Sequence, residues 1–398
     1  MKKEFLFMES KVVNPKIIII AGEPSGDFLG SQLMVALKKK NASLEFYGLG
    51  GNLMEKEGLK SFFPLSDLAI MGILGNIKKS IRAWRRLKET AELIQEIKPD
   101  VVVTIDFPGF NFRLARGLKK TLKHTPLIHY VAPTVWAWRA GRAKNIAPIF
   151  NHLLALFHFE PPYFKKHGLT TTFVGHPIVQ MGLSLGDGEK FRKDHGILET
   201  DTVITILPGS RESELKHHLG VFQEAVEQIN KRVMGLKVVM PTLGHLASII
   251  KDHWHTSVPT IIITDHLAKK DAYAAAKVAI AASGTIALEL AQAKLPMIIA
   301  YKVSWLNAWL VRRLIKIRYF CMVNILLRRS VVPELLQEKC TPDNLTLEVL
   351  KILKNPHKTN QQHEAFQRID GLLRPSGDMG PSEKAAEIVL RYLPSKKE

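Results

Sequence analysis

The 398-residue chain is poor in cysteine, poor in acid and free of long apolar runs. Its two cysteines, Cys321 and Cys340, cannot build a disulfide framework, and neither belongs to a CxxC metal or redox pair. A reducing compartment is expected. No targeting segment is read at the start of the chain, because Glu4, Glu9 and Lys11 interrupt any apolar stretch long enough for a signal core. The run Ile17–Gly22 has the length of a strand, and nothing approaches the ~20 apolar residues that a spanning helix needs. Acids number 37 against 56 Lys and Arg, a formal net charge of +19. That surplus calls for an anionic partner: nucleic acid, nucleotide phosphates or an acidic membrane face.

Missing motifs narrow the chemistry. There is no G-x-x-x-x-G-K-[ST], which disfavours a P-loop hydrolase, and no G-x-G-x-x-G after a strand, which disfavours a dinucleotide oxidoreductase. Gly22-Glu-Pro-Ser25-Gly26 lacks the spacing of a nucleophile elbow. No Asp-x-Asp follows a strand, and His253-Trp-His255 has no convincing third ligand. Neither a metal nor a cofactor is expected.

What the chain has is enough apolar residue (46%) to bury sizeable cores, arranged as alternating strands and helices. Short β-branched runs at Lys16–Ala21, Val101–Ile105 and Leu127–Val131 open the first half, with weaker candidates at Leu153–Phe157 and Thr172–Val174. After a hydrophilic stretch from Gly182 to Asp201 the pattern restarts at Thr202–Leu207. It continues through Lys237–Met240, Thr260–Thr264, Val278–Ala281 and Met297–Tyr301. Near-continuous apolar strands separated by helices predict parallel sheets covered on both faces. The fold class is α/β, with two facing doubly wound Rossmann-like domains over 1–181 and 200–365 and returning helices over 366–398.

Three segments could carry chemistry. In Leu207-Pro-Gly209-Ser210-Arg211 a small-residue turn ends a strand and starts a helix, an arrangement that can bind anions, with Arg211 able to fork onto phosphate oxygens. Taken alone, that string is better explained as an ordinary strand–helix turn with an exposed Arg. In Ala282-Ser283-Gly284-Thr285 the same design recurs, and Glu289 follows about one helical turn later, where it could accept ribose hydroxyls. Two such turns in one half-chain favour a nucleotide diphosphate. In Thr104-Ile-Asp106-Phe-Pro-Gly a carboxylate stands just past a buried strand, where it could be a general base if burial raises its pKa, or a cap on the Pro108-Gly109 turn.

Two further segments point to a surface. Leu68–Ile77 is uncharged and runs into Lys78, Lys79, Arg82, Arg85, Arg86 and Lys88, while apolar positions 81, 84, 87, 91, 94 and 97 share one helical face. The stretch 301–330 carries basic residues, two tryptophans and no acid. Both suit an anionic headgroup layer, although a core helix with a solvated basic face, or a nucleic-acid groove, would use the same residues.

The strings AGEPSGD (21–27), GLGG (48–51), LAIMGILG (68–75), TIDFPGFN (104–111), HYVAPTVWAWR (129–139), VGHP (174–177), LPGSR (207–211), ASGTIALE (282–289), VNILLRR (323–329) and PELLQE (333–338), in this order and spacing, resemble the lipid-A-disaccharide synthase family. The resemblance runs from about Ile17 to the C-terminal helix. It implies an inverting glycosyltransferase of the GT-B kind, joining UDP-2,3-diacylglucosamine to 2,3-diacylglucosamine 1-phosphate through a β(1→6) bond and releasing UDP. By the same resemblance, Asp106 matches an Asp required for activity, Glu23 and Ser25 fall in the N-terminal cleft motif, and Glu289 matches the ribose-contacting Glu. Asn324 matches an Asn of the donor site, beside the turns at Gly209-Ser210-Arg211 and Ser283-Gly284-Thr285. An orienting role for Asp106, through His or water, stays open beside that of a base.

The resemblance also implies docking on an anionic cytoplasmic membrane surface, peripheral to the inner face of a Gram-negative-type inner membrane. Ile70, Met71, Ile73, Leu74, Ile77, Arg82 and Arg85 would make the contact. Some members exchange C-terminal helices between subunits, so the resemblance admits a homodimer. Pro24 stands where the family usually has Ala, Gly109 where some members have Asp, and Val323 where a Pro often precedes the Asn. Rival readings are a UDP-N-acetylglucosamine 2-epimerase or a peptidoglycan lipid-intermediate transferase, against which the 68–77 segment and PTVWAWR argue. From another class comes a basic nucleic-acid-binding protein; no recognised module of that class is present, and no nucleic-acid partner is expected.

Overall fold

The computed structural model describes residues 14–65, 67, 77–265, 267–304 and 317–394, with the side chains of 77–83 left aside. The chain divides into two compact units. The first comprises Met1–Pro177 with Pro375–Glu398, and the second Ile178–Arg374.

The first unit is built on a seven-stranded sheet of order β3-β2-β1-β4-β5-β6-β7. Its strands are β1 Lys16–Ala21, β2 Glu45–Leu49, β3 Lys60–Ser61, β4 Val101–Ile105, β5 Leu127–Tyr130, β6 His152–Ala155 and β7 Thr171–Phe173. All neighbours are parallel. The central strands read as unbroken apolar runs because helices cover both faces: Ile17, Ile18, Ile19 and Ile20 are all fully buried. The second unit repeats the design with a six-stranded parallel sheet of order β10-β9-β8-β11-β12-β13. Here the strands are β8 Thr202–Leu207, β9 Leu236–Pro241, β10 Thr260–Ile263, β11 Val278–Ala282, β12 Met297–Tyr301 and β13 Glu334–Leu336.

In each sheet the chain starts in the middle, winds to one edge, returns, and winds to the other. The strand order therefore reverses between β1 and β4 in the first sheet and between β8 and β11 in the second. Such a reversal splays the connections apart at the carboxyl ends of the two central strands and leaves a crevice there.

Three strands escape the sequence pattern. β2 alternates in burial, contains Gly48 and lies near the sheet edge, so its apolar signal is broken. β3 and β13 are very short edge strands that are at most partly buried. Helix Ile77–Ile97 carries the expected apolar face over its described side chains except at Trp84. Ile94 is fully buried and Leu87, Ala91 and Ile97 pack against the core, whereas Trp84 is 67% exposed.

Helix Pro356–Leu373 is continuous and remains with the second unit, so the returning segment begins at Pro375 rather than at 366. Helix Pro381–Leu390 then packs on helix Pro24–Lys40, and the Tyr392 hydroxyl pairs with His152 Nδ1 at 3.1 Å. Both cysteines are buried free thiols, and burial pushes Cys321 up to about 12. Among the described residues, no helix is long and apolar enough to cross a membrane.

Candidate functional site

Four of the strings, AGEPSGD, TIDFPGFN, LPGSR and ASGTIALE, fall at the two switch points. In the first unit β1 ends in Gly22-Glu23-Pro24-Ser25 and its neighbour β4 ends in Asp106. Pro24 takes the first position of helix Pro24–Lys40, where a missing N–H costs nothing and a fixed φ helps. Glu23 precedes it in extended conformation, its carbonyl taking the Asp27 N–H at 3.0 Å, and both Glu23 and Ser25 are exposed.

Asp27, the last residue of AGEPSGD, has a structural task. Its buried carboxylate accepts from the N–H groups of Gly51 (2.8 Å), Met54 (3.0 Å) and Leu53 (3.1 Å), tying the GLGG turn to the rim.

Asp106 and Phe107 are consecutive left-handed residues, with φ of 44° and 46°. Neither is glycine, so the pair is strained and must be held from outside. The Asp106 N–H donates to the Tyr130 carbonyl at 2.9 Å, and Asn111 Nδ2 donates to the carbonyls of Ile105 (3.0 Å) and Asp106 (2.7 Å). The result is a half-buried carboxyl at the rim. Burial first, and then the negative charge of Glu23, raises its pKa above the ordinary carboxylate value. His129, on the next strand, is no relay. It is buried between Phe112 and Phe150, pairs with Thr104 Oγ1 at 2.8 Å, and is pushed down to about 3 by burial.

Sequence reasoning missed Glu160. This buried carboxyl accepts from the N–H groups of Phe157 (3.0 Å) and Leu156 (3.1 Å) and from Trp136 Nε1 (3.3 Å). Burial pushes it up to about 8, and the donors offset part of that rise. It joins the 131–139 loop to the end of β6. A lone Glu after an apolar run gives no sign of such burial in the sequence.

In the second unit the LPGSR turn follows β8 and the SGT turn follows the adjacent β11. The first turn is not an open anion cradle. Glu214 turns back from helix Glu212–Asn230 to accept the Ser210 N–H at 2.8 Å, and it also lies 3.4 Å from Arg211. Gly209, at φ 136°, is required there, since a Cβ would fall 2.5 Å from Glu214. Arg211 is exposed, with Glu214 as its neighbouring acid.

Behind the turn, buried His218 takes the Lys302 N–H on Nε2 (2.9 Å) and meets the Pro208 carbonyl with Nδ1 (2.6 Å). That fixes the neutral tautomer with the proton on Nδ1, and burial lowers its pKa. The bridge ties the end of β8 to the end of β12.

Gly284 and Thr285 are exposed at the second turn, and the Ser283 hydroxyl donates to the Phe320 carbonyl at 3.2 Å. Glu289 is paired with Lys269 of helix Ala268–Ala275, both side chains being about four-fifths buried. Asn324 does not present its amide to a ligand. It is fully buried, donating to the Val332 carbonyl (2.8 Å) and Glu334 (2.7 Å) and accepting from the N–H groups of Val331 (2.9 Å) and Val332 (3.0 Å). Glu334 in turn holds the N–H groups of Phe320 and Cys321. Asn324 and Glu334 thus lock residues 320–334 together at the rim.

Ile70, Met71, Ile73 and Leu74 lie outside the described residues, as do the side chains of Ile77 and Arg82. Arg85 is exposed beside Trp84. Arg86 belongs to the fold, stacked on Phe63 at 4.4 Å and paired with Asp67 and Glu89.

Comparison with known proteins agrees with this geometry. The Lipid-A-disaccharide synthetase family matches residues 17–389. A lipid-A-disaccharide synthase of Rhodospirillum centenum is 46% identical over 95% of this chain and 94% of its own. One from Paramagnetospirillum magneticum is 40% identical over 96% and 98%. Among solved structures, S. aureus MnaA with UDP aligns with a TM-score of 0.64 at 12% identity, covering 94% of this chain and 95% of that one. MurG of Acinetobacter baumannii aligns with 0.54 at 13%, covering 95% and 99%. At such identities the structural likeness speaks for the two-domain α/β fold alone, whereas the sequence matches span nearly the whole chain. The chain belongs to the lipid-A-disaccharide synthase family, and it is a glycosyltransferase.

Proposed function

We propose that the chain moves 2,3-diacylglucosamine from UDP to the 6-hydroxyl of 2,3-diacylglucosamine 1-phosphate, by a single displacement that inverts C1 and gives a β(1→6) disaccharide and UDP. The observation that carries this reading is the placement of both small-residue turns, LPGSR and SGT, at the switch point of one sheet, where α/β folds take nucleotides. The UDP and UDP-sugar complexes of proteins with the same fold support it.

Each residue then has a task. Arg211, exposed at its helix start beyond the turn at Gly209 and Ser210, would meet the negative charge that builds on the departing diphosphate. Ser283, Gly284 and Thr285 would line the same end, and Glu289 would accept ribose hydroxyls while remaining in reach of Lys269. Asn324 positions this rim. Asp106 is the group to take the proton of the attacking hydroxyl, because its raised pKa brings it closer to that of a working base. Glu23 and Ser25 stand on the adjoining turn to orient the acceptor.

Diacylated substrates reside in a bilayer. The uncharged segment containing Ile70, Met71, Ile73, Leu74 and Ile77, with Arg82, Arg85 and exposed Trp84 following, would dock on an anionic cytoplasmic leaflet.

UDP release from UDP-diacylglucosamine, with and without diacylglucosamine 1-phosphate, tests the reaction. Release that ignores the acceptor, or no release, would defeat it. Joint replacement of Ile70, Ile73 and Leu74 by Ser should weaken binding to anionic liposomes; unchanged partitioning would remove the docking role.

A further inference from the structure

The loop after β5 carries a motif that the reaction above leaves without a task. Between Asp106 and Glu160 the sequence holds eight Lys and Arg and no acid. Two of these cations, Arg139 and Arg142, share one indole. The Arg139 guanidinium carbon lies 4.4 Å from the ring centroid of Trp138, and that of Arg142 lies 5.6 Å from it.

The platform is fixed in place. The Trp138 N–H donates to the Thr134 carbonyl at 3.2 Å and its Nε1 to the Thr134 hydroxyl at 3.1 Å, while Val135 and Ala137 are buried on either side of anchored Trp136. Trp138 itself is 36% exposed. Arg139 adopts φ 52°, and its carbonyl takes the Arg142 N–H at 2.9 Å, a turn that folds the second Arg back toward the first.

Stacking occupies the face of a guanidinium and leaves its in-plane N–H donors free. Among the described residues neither Arg has an acidic partner, and burial first, then the charge of Arg139, lowers the pKa of Arg142. Two like charges held on a rigid platform without a counterion cost free energy that a bound anion returns. The cluster also lies on the rim that carries Asp106, since β5 adjoins β4 and Tyr130 accepts the Asp106 N–H.

We infer that Arg139 and Arg142, supported by Trp138, bind the phosphomonoester of the acceptor sugar. This rests on the reaction proposed above and adds to it the residues that select a phosphorylated acceptor. A phosphomonoester carries about −1.5 to −2 charge at neutral pH and three acceptor oxygens, enough for two guanidinium forks. A lipid headgroup phosphodiester offers one charge and is the competing source of the same chemistry.

The test uses the full chain in neutral detergent micelles, with diacylglucosamine 1-phosphate and its dephosphorylated counterpart as acceptors, and compares wild type with R139Q, R142Q and the double variant. Binding of both acceptors without donor is measured by calorimetry, so failure of catalysis and failure of the subsite are read separately. Wild type should favour the phosphorylated acceptor. The double variant should raise its KM and Kd about tenfold or more, equivalent to about 1.4 kcal/mol, with the discrimination between acceptors collapsing and the melting temperature and UDP affinity unmoved. Equal weakening toward both acceptors, or discrimination intact in the double variant, would overturn the assignment. Discrimination intact together with lost binding to anionic vesicles would transfer these residues to headgroup contact instead. If the double variant fails to fold, the same ratio is read from the single variants and from R139K and R142K, which keep charge without the planar fork.

Discussion

The ring of Phe107 fills the space where a side chain on Gly22 would be: a Cβ there would lie 2.2 Å from the nearest ring carbon. This contact joins the end of β1 to the strained left-handed pair that presents Asp106. Gly22→Ala must displace the ring, at a cost of about 1–3 kcal/mol. The expected outcome is a lower melting temperature with a larger proportional loss in kcat than in donor affinity. A variant that melts lower yet keeps full kcat would show that the Phe107 contact does not hold Asp106.

Asp106 and Glu23 make a pH prediction. A base acts in its ionised form, so the rate should fall as pH falls through the raised pKa of Asp106. Glu23→Gln removes a negative charge and should move that acid limb to lower pH. Asp106→Asn should lower kcat by about 10²–10⁴ while UDP binding survives. The pH profile of kcat/KM checks the pair; an unmoved limb in the Glu23 variant would exclude Asp106 as the titrating group.

Glu160 should make stability fall as pH rises. Its carboxyl goes from an ordinary 4.5 to about 8 on burial. Between those values the folded chain holds a proton that the unfolded chain has released, so stability declines from about pH 4.5 to about 8. Glu160→Gln removes that slope, and its amide cannot accept from the Trp136 N–H and both backbone N–H groups at once. Urea midpoints across the range read both effects, and a slope shared by wild type and variant would discount Glu160.

Asn324→Ala would leave four partners, all at least partly buried, short of a bond: the N–H groups of Val331 and Val332, the Val332 carbonyl and Glu334. Each orphaned group costs about 1–3 kcal/mol, so a loss of roughly 3 kcal/mol overall is a modest expectation, at about 2–4 °C of melting temperature per kcal/mol. UDP affinity should fall in parallel with stability and recover under osmolyte, as a positioning role requires. Lost affinity at unchanged stability would make Asn324 a direct ligand contact instead.

The net charge of +19, the buried central strands and the four turns after β1, β4, β8 and β11 are all legible in the sequence. Apolar runs and small-residue breaks are local patterns, and local patterns survive without knowledge of neighbours. Edge strands such as Glu334–Leu336 are not legible, because half of their environment is solvent and their signal is diluted.

The tertiary structure alone decided what the polar residues do. Glu214 fills the turn where an open cradle was expected, Asn324 spends its amide on residues 331–334, and Asp27 caps a distant short helix. The first two contacts close short loops, whereas that of Asp27 with Met54 spans 27 residues and needs β1 and β2 side by side. The sequence by itself determined which residues stand at the carboxyl ends of strands. The winding order of the two sheets decided that these ends meet at the switch points, and burial decided that Asp106 and Glu160 depart from ordinary carboxylates, because desolvation depends on neighbours that no local pattern records.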